Sequence, residues 1–313
     1  MSRMMLLKRF VRALALIVAA SFLVFAASEY SPRHVTSKTL GPYASQASKD
    51  FLFEKLELDA PLFVRYGRWL GVLTGVIKDP LANPELNLGF TDRRGHQYFG
   101  NFGHSSLYQA PVNDVLWGRL GATAILAGIA FAIIVPLSVV VGVLSGTRED
   151  ALIDRGLSLT GITLGSIPEF ASAILLMAIF VVWLGWLPGP STLVPTAEWP
   201  VASQMVLPVI ALVLYWLGQI ATTVRGSIIE LATRPSIRTE GPEHPPYKGR
   251  VWRDATIVSA RTILPKLPWL LTSIVVIEVI FAYPGFGRML IETTFFGDIA
   301  MAEAAAVVAI FFW

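Results

Sequence analysis

The 313-residue chain is 54% apolar and only 15% charged, carries a net charge of +3 and contains no cysteine. Soluble domains carry about 25% charged residues, so this composition excludes an ordinary soluble protein, and the missing thiol excludes disulfides, thiolate zinc sites and cysteine nucleophiles. The basic residues gather beside apolar runs and not in an aromatic-interleaved patch, so nucleic acid is not an expected partner.

Residues 1–28 open with Arg3, Lys8, Arg9 and Arg12 before the uncharged run Ala13–Ala27, the pattern of a first span whose basic flank stays in the cytoplasm. A cleavable signal peptide is the rival reading; the apolar run is at the upper length for a signal core and AASEY is a mediocre cleavage site, which favours an uncleaved anchor. Residues 29–119 are mixed in charge, rich in Gly, Pro, Asn and aromatics, and hold no run long enough to span, so they read as an extracytoplasmic insertion. Residues 120–313 then form the core transmembrane domain.

Within that core, Leu120–Leu144 is a second span interrupted by Pro136, and Leu157–Trp186 is long enough for a third even with Pro168 and Glu169 inside it. The loop after Trp186 has no Lys or Arg up to Gln204, which marks it as outside. Val206–Val224 is a fourth span. The loop Arg225–Lys266 holds eight basic residues and reads as cytoplasmic, and Trp269–Tyr283 is a fifth span stopped by Pro284. Ile299–Trp313 begins a sixth, but at 1.5 Å per residue it reaches only about 22 Å against a hydrocarbon thickness of about 30 Å. A clipped terminus or an incomplete last helix is expected there. The fold class is an all-α integral membrane protein, because lipid forces backbone groups to pair inside helices or closed barrels and these runs exceed barrel strands.

A charge at the bilayer centre costs about 2.5–3.5 kcal/mol on insertion scales, so Glu169 and Glu278 must face the bundle, a wet cavity or the interface. Glu169, Glu278 and Arg288 are therefore candidates for lining a solute path; pairing of Glu278 with Arg288 at the interface is the competing reading for that pair. Gln219 and Tyr215 read as interhelical hydrogen bonders. His96 and His104 share an outer loop with Asp92 but match no tight metal spacing, so they read as surface histidines. Trp183, Trp186, Trp199 and Trp269 sit at span ends as interface anchors. The PGFGRML turn lacks the GK[ST] ending of a phosphate loop, and no Walker motif occurs anywhere, so ATP would be hydrolysed by another polypeptide.

Read in order, the segments resemble the permease subunits of the dipeptide, oligopeptide and nickel branch of ABC importers. The resemblance is carried by LELDAPLFVRYGRWLGVLTG (Leu56–Gly75), GNFGHSS (Gly100–Ser106), GVLSGTREDALIDR (Gly142–Arg155), LGWLPGPS (Leu184–Ser191) and EVIFAYPGFGRML (Glu278–Leu290). It implies a six-span type I importer permease bundle with its insertion between spans 1 and 2, a multi-pass protein of the inner (cytoplasmic) membrane with a cytoplasmic N-terminus. It also implies a second homologous permease subunit, two ATPase subunits that bind ATP and magnesium, and an extracytoplasmic substrate-binding protein delivering a peptide or similar solute. This chain itself would hold no cofactor and do no chemistry.

The loop between spans 4 and 5 would carry the family's ATPase-coupling motif. Arg234, Ile237, Arg238 and Thr239 are similar to its start, and Tyr247 and Arg253 fall where typical members have matching residues. Glu240 stands where an alanine normally follows, and His244 where a glycine turns. Pro242, Pro245 and Pro246 crowd the segment; a proline inside a helix costs about 3 kcal/mol, so the first coupling helix is expected to end by Gly241. These departures motivate an alternative, a permease-derived receptor or scaffold that binds without pumping. A membrane-embedded enzyme ranks third, since no acid, base, nucleophile and metal set clusters in the sequence.

Overall fold

The computed structural model describes residues 3–29, 36–37, 40–41, 43–79, 99–149, 151–191, 193–194, 200–232, 257, 259–261 and 263–312. They are mostly helical. In chain order the main elements are α1 (Arg3–Ser28), α2 (Gln46–Lys55), α3 (Leu62–Leu73), a two-residue hairpin of β1 (His104–Ser105) and β2 (Ala110–Pro111), α4 (Val112–Gly146), α5 (Leu152–Ser166) and α6 (Glu169–Leu176). A π-helical run, Met177–Trp183, continues α6; then come α7 (Val201–Ala232), α8 (Leu267–Ile280), α9 (Phe286–Phe296) and α10 (Ile299–Phe312).

Among the described residues, three stretches are long and apolar enough to cross a membrane: Val112–Gly146, Val201–Leu231 and Ser259–Ile280. The pair α5 and α6 with its π run would be a fourth. It does not form the single straight span expected from Leu157 to Trp186, because the two halves meet at 92°. The cause is local: proline disfavours helical backbone in the residue before it, and Ile167 is extended (φ −83°, ψ 120°) ahead of Pro168, which becomes the N-cap of α6. Pro136 and Pro208, by contrast, lie inside α4 and α7 without ending them. Shorter apolar helices cover Ala15–Ser28 and Ile299–Ala309.

The chain divides into two compact units, Met1–Gly121 with Met289–Trp313, and Ala122–Arg288. In the first, α1 packs on α10 and carries α3 through rings: Phe22 stacks on Phe63 at 5.2 Å, Tyr66 meets Phe25 edge-on at 5.4 Å, and the Tyr66 hydroxyl lies 2.7 Å from Ser21 Oγ. Arg65 of α3 forms a buried ion pair with Glu29 at the end of α1. Burial pushes the Glu29 carboxyl above its usual range, against the opposing charge of Arg65. Asp298 caps α10 by accepting from Met301 N (3.1 Å) and ties down the hairpin by accepting from Ser105 Oγ and from Leu107 N (3.0 Å).

His104 in this hairpin is buried, only 3% exposed, with Nδ1 2.9 Å from Asp79 Oδ2. The expectation of a surface histidine is therefore corrected: Asp79, 25 residues earlier in the chain, supplies the partner that makes burial of the imidazole tolerable. His96 and Asp92 lie outside the described residues, and among the described residues no group of three metal-ligating side chains occurs.

The second unit is built around α7. Its core joins Leu126, Ile134 and Val143 of α4 to Leu212, Ile220 and Ile228 of α7, and Ile274 and Ile277 of α8 to Phe281 and Tyr283 beyond it. Two pairs of glycines, each spaced four apart, let neighbouring backbones approach α7. A Cβ on Gly142 would lie 2.6 Å from Val224 and 2.9 Å from the Ala221 carbonyl oxygen, and one on Gly146 would lie 3.0 Å from the Arg225 carbonyl oxygen. On the other flank, Gly218 of α7 sits directly against Gly161 and Gly165 of α5. Small residues at this spacing are the usual route to close packing where apolar side chains gain nothing over lipid.

Candidate functional site

The break in the α5–α6 span is the best candidate, and its polar groups come from three helices. Where the helix stops at Ser166, the Gly165 carbonyl loses its normal partner; Gln219 of α7 replaces it, donating from Nε2 at 2.8 Å. Gln219 is thus the interhelical hydrogen bonder the sequence suggested, while Tyr215, one turn away, sets its ring edge-on to Trp216 at 5.4 Å. Glu169, the first residue of α6, is half-buried, and Ser273 of α8 donates to its Oε1 at 3.1 Å. Lys266, at the start of α8, donates from Nζ to Thr223 Oγ1 at 3.0 Å. A carboxylate in the first turn of a helix is favoured by the helix dipole, and a half-buried one beside a break in a span can receive an ammonium or amide donor from a passing solute. The π run that follows is a rare form that recurs at functional sites.

Glu278 sits elsewhere and is differently engaged. It is wholly buried, accepting from Thr123 Oγ1 and, on Oε2, from the backbone N of Arg288 at 3.0 Å. Thr123 Oγ1 in turn accepts from Phe286 N at 2.7 Å, so together these side chains satisfy the otherwise orphaned amides that begin α9. Gly285 makes room, since a Cβ there would collide with the Glu278 carboxylate. Arg288 is half-buried, and its guanidinium donates to the Ala282 carbonyl; Ala282 has a positive φ of 53°. The YPGFGR turn is consequently a locked cap over Glu278. Glu278→Ala should lower stability by about 2–4 kcal/mol, because buried donors lose a charged acceptor. Glu278→Gln keeps an acceptor and should cost less; thermal unfolding of both variants in detergent checks the order.

At the end of α7 that leads toward residues 233–256, a charged cluster joins three helices. Arg225 donates from Nε and Nη2 to Asp154 Oδ1 (2.6 Å) and Oδ2 (2.7 Å), and Asp154 also accepts from Ser145 of α4 and from Ser158 (3.1 Å). In the sequence Arg225 stands only as the first residue of the basic loop and Asp154 only within the Gly142–Arg155 segment, with no partner named for either. Arg234, Ile237, Arg238, Thr239, Glu240, His244, Tyr247 and Arg253 all lie outside the described residues, as does Trp199. Trp183, Trp186 and Trp269 are exposed.

Residues 138–313, which contain the broken span, all of α7 and the Glu278 cap, match the family model described as binding-protein-dependent transport system inner membrane component. The chain belongs to that family. It is a multi-pass inner-membrane permease subunit of an ABC importer, a transport component and not itself an enzyme. Among similar family members, a proposed peptide transport system permease protein of Brucella abortus is 28% identical over 306 residues, 96% of this chain and 89% of that protein. The oligopeptide transport system permease proteins of Escherichia coli and Salmonella typhimurium are 31% and 30% identical over 230 residues, 68% of this chain and 72% of each.

Proposed function

We propose that this permease moves peptides, or a closely related small solute, inward after delivery by an extracytoplasmic binding protein. The observation that carries this reading is the long similarity to two oligopeptide permeases and to the Brucella protein, which includes the α5–α6 break. A peptide offers an ammonium and backbone amides, the groups that the half-buried Glu169 carboxylate would accept. Six spans, a cytoplasmic N-terminus and an extracytoplasmic insertion over residues 29–119 complete the proposed topology.

In the proposed mechanism a second permease subunit pairs with this one, and two separate ATPase subunits grip the cytoplasmic loop 225–266. ATP and magnesium belong to those subunits. Their closure reorients the bundle, and solute affects the equilibrium only through different affinities for the two orientations. Vesicles holding the permease pair, the ATPases and the binding protein should accumulate peptide against a gradient only when ATP is present. Alanines at Arg234, Arg238 and Arg253 should cut uptake at least about tenfold while leaving peptide binding intact, a loss of about 1.4 kcal/mol in coupling. Binding without ATP-dependent accumulation would favour a non-pumping receptor.

A further inference from the structure

Two side chains of opposite charge in the second unit, Glu169 and Lys266, engage only uncharged partners among the described residues. Glu169, at the break in its span, accepts from Ser273 Oγ at 3.1 Å. Lys266 lies within the apolar stretch Ser259–Ile280 and donates from Nζ to Thr223 Oγ1 at 3.0 Å and to the Gln219 carbonyl oxygen at 3.4 Å. Both residues are half-buried, so part of each stays open. Ionisable groups inside spans are costly, and they either pair with one another or mark a solute route. These two do not pair.

They are held apart along the same two helices. Ser273, which fixes Glu169, lies seven residues beyond Lys266, and at 1.5 Å per residue the two levels are about 10 Å apart on α8. On α7, Tyr215 lies within electrostatic range of Glu169, and Thr223, which holds Lys266, follows eight residues later, about 12 Å along that axis. Tyr215, Gln219 and Thr223 recur every fourth residue, so they form one polar stripe of α7 between the two levels. An extended chain advances about 3.3–3.6 Å per residue, so a di- or tripeptide with a hydrogen bond of about 2.8 Å at each end spans this separation. Six residues reach about 20 Å and can place only one end. We infer that Lys266 determines specificity in the solute path, taking the C-terminal carboxylate of a di- or tripeptide while Glu169 takes its ammonium. The inference rests on the proposed peptide transport and adds to it a second subsite and a preferred length.

The test uses vesicles holding the permease pair, the ATPases and the binding protein, supplied with trialanine, its C-terminal amide, N-acetyltrialanine or a hexapeptide of alternating alanine and serine. Each variant is compared with wild type on the same peptide, which cancels the binding protein's own preference. Lys266→Met should cut the uptake efficiency of trialanine about tenfold and leave that of the amide unchanged. Glu169→Gln should cut trialanine by a similar factor and spare N-acetyltrialanine. The hexapeptide should keep at least about half its uptake in Lys266→Met, and Lys266→Arg, which keeps the charge, should restore trialanine. Both neutral variants remove a charge from a span, so their unfolding midpoints in detergent should not fall, which separates lost selection from lost folding. Unchanged trialanine uptake in Lys266→Met, or equal losses for trialanine, its amide and the hexapeptide, would overturn the inference while leaving peptide uptake standing. Absence of ATP-dependent uptake of every peptide by wild type would overturn the proposed function, and the inference with it.

Discussion

Gly218→Val is expected to collapse the packing of the second unit, with a loss of at least about 3 kcal/mol and no measurable uptake. Overpacking a core usually costs about 1–3 kcal/mol because side chains can shift. At Gly218 they cannot provide that relief, since the added carbon would meet backbone atoms: it would collide with the Gly161 carbonyl oxygen and lie 2.8 Å from Gly165 N. Relief would require α5 to move away from α7. That movement would also break the Gln219 bond to the Gly165 carbonyl, leaving the broken span without its substitute partner. Gly226→Ala on the same helix is the control, because nothing lies within 4 Å of its Cβ position. It should be neutral or stabilising by up to about 1 kcal/mol, the helix preference of alanine over glycine. Unfolding midpoints of the two variants in detergent decide the matter; equal stability would mean that α5 and α7 do not meet at their glycines.

Arg225→Met should be strongly destabilising, and more damaging than Asp154→Asn. The Asp154 carboxylate is 2% exposed, whereas the Arg225 side chain retains 28%. Removing the arginine takes a bidentate, charged partner from a buried carboxylate, while removing the carboxylate leaves a partly exposed guanidinium able to turn toward water. Breaking a buried pair on one side costs about 3–5 kcal/mol; the partial exposure of Arg225 lowers the expectation to about 2–4 kcal/mol for Arg225→Met. The double variant should recover much of that loss, because the buried carboxylate is removed together with its bidentate partner. Strictly additive losses in the double-mutant cycle would show the pair to be uncoupled. Since Asp154 also engages Ser145, the cluster clamps α4, α5 and α7 beside the start of the proposed coupling loop. The single variants should therefore lose uptake more steeply than they lose peptide binding.

What could be read from the chain, and what could not, follows the range of the interactions. Apolar runs located α4, α7 and α8, because length in lipid is a local property, but α4 begins at Val112 and α7 runs on to Ala232, beyond the apolar stretches, where polar residues continue the helix. Pro168 signalled trouble in the third span, but the 92° turn depends on Ile167 adopting extended backbone and on Gln219, more than fifty residues later, satisfying the freed carbonyl. The four-residue spacing of Gly142 with Gly146, and of Gly161 with Gly165, went unread as a packing signal, because nothing local names α7 as the helix they receive. For Glu278 the sequence required a partner and offered Arg288; the structure adds the Arg288 backbone amide and Thr123, 155 residues away. His104 was misjudged for the same reason, since nothing local announces Asp79.

In the proposed topology the basic loop after α7 faces the cytoplasm, where a separate motor can grip it. Because the chain lacks cysteine, Lys248→Cys creates a unique thiol without further engineering. In intact cells a membrane-impermeant maleimide should leave that thiol unlabelled, and permeabilised cells or inverted vesicles should label it fully. Labelling from the outside of intact cells would contradict the account.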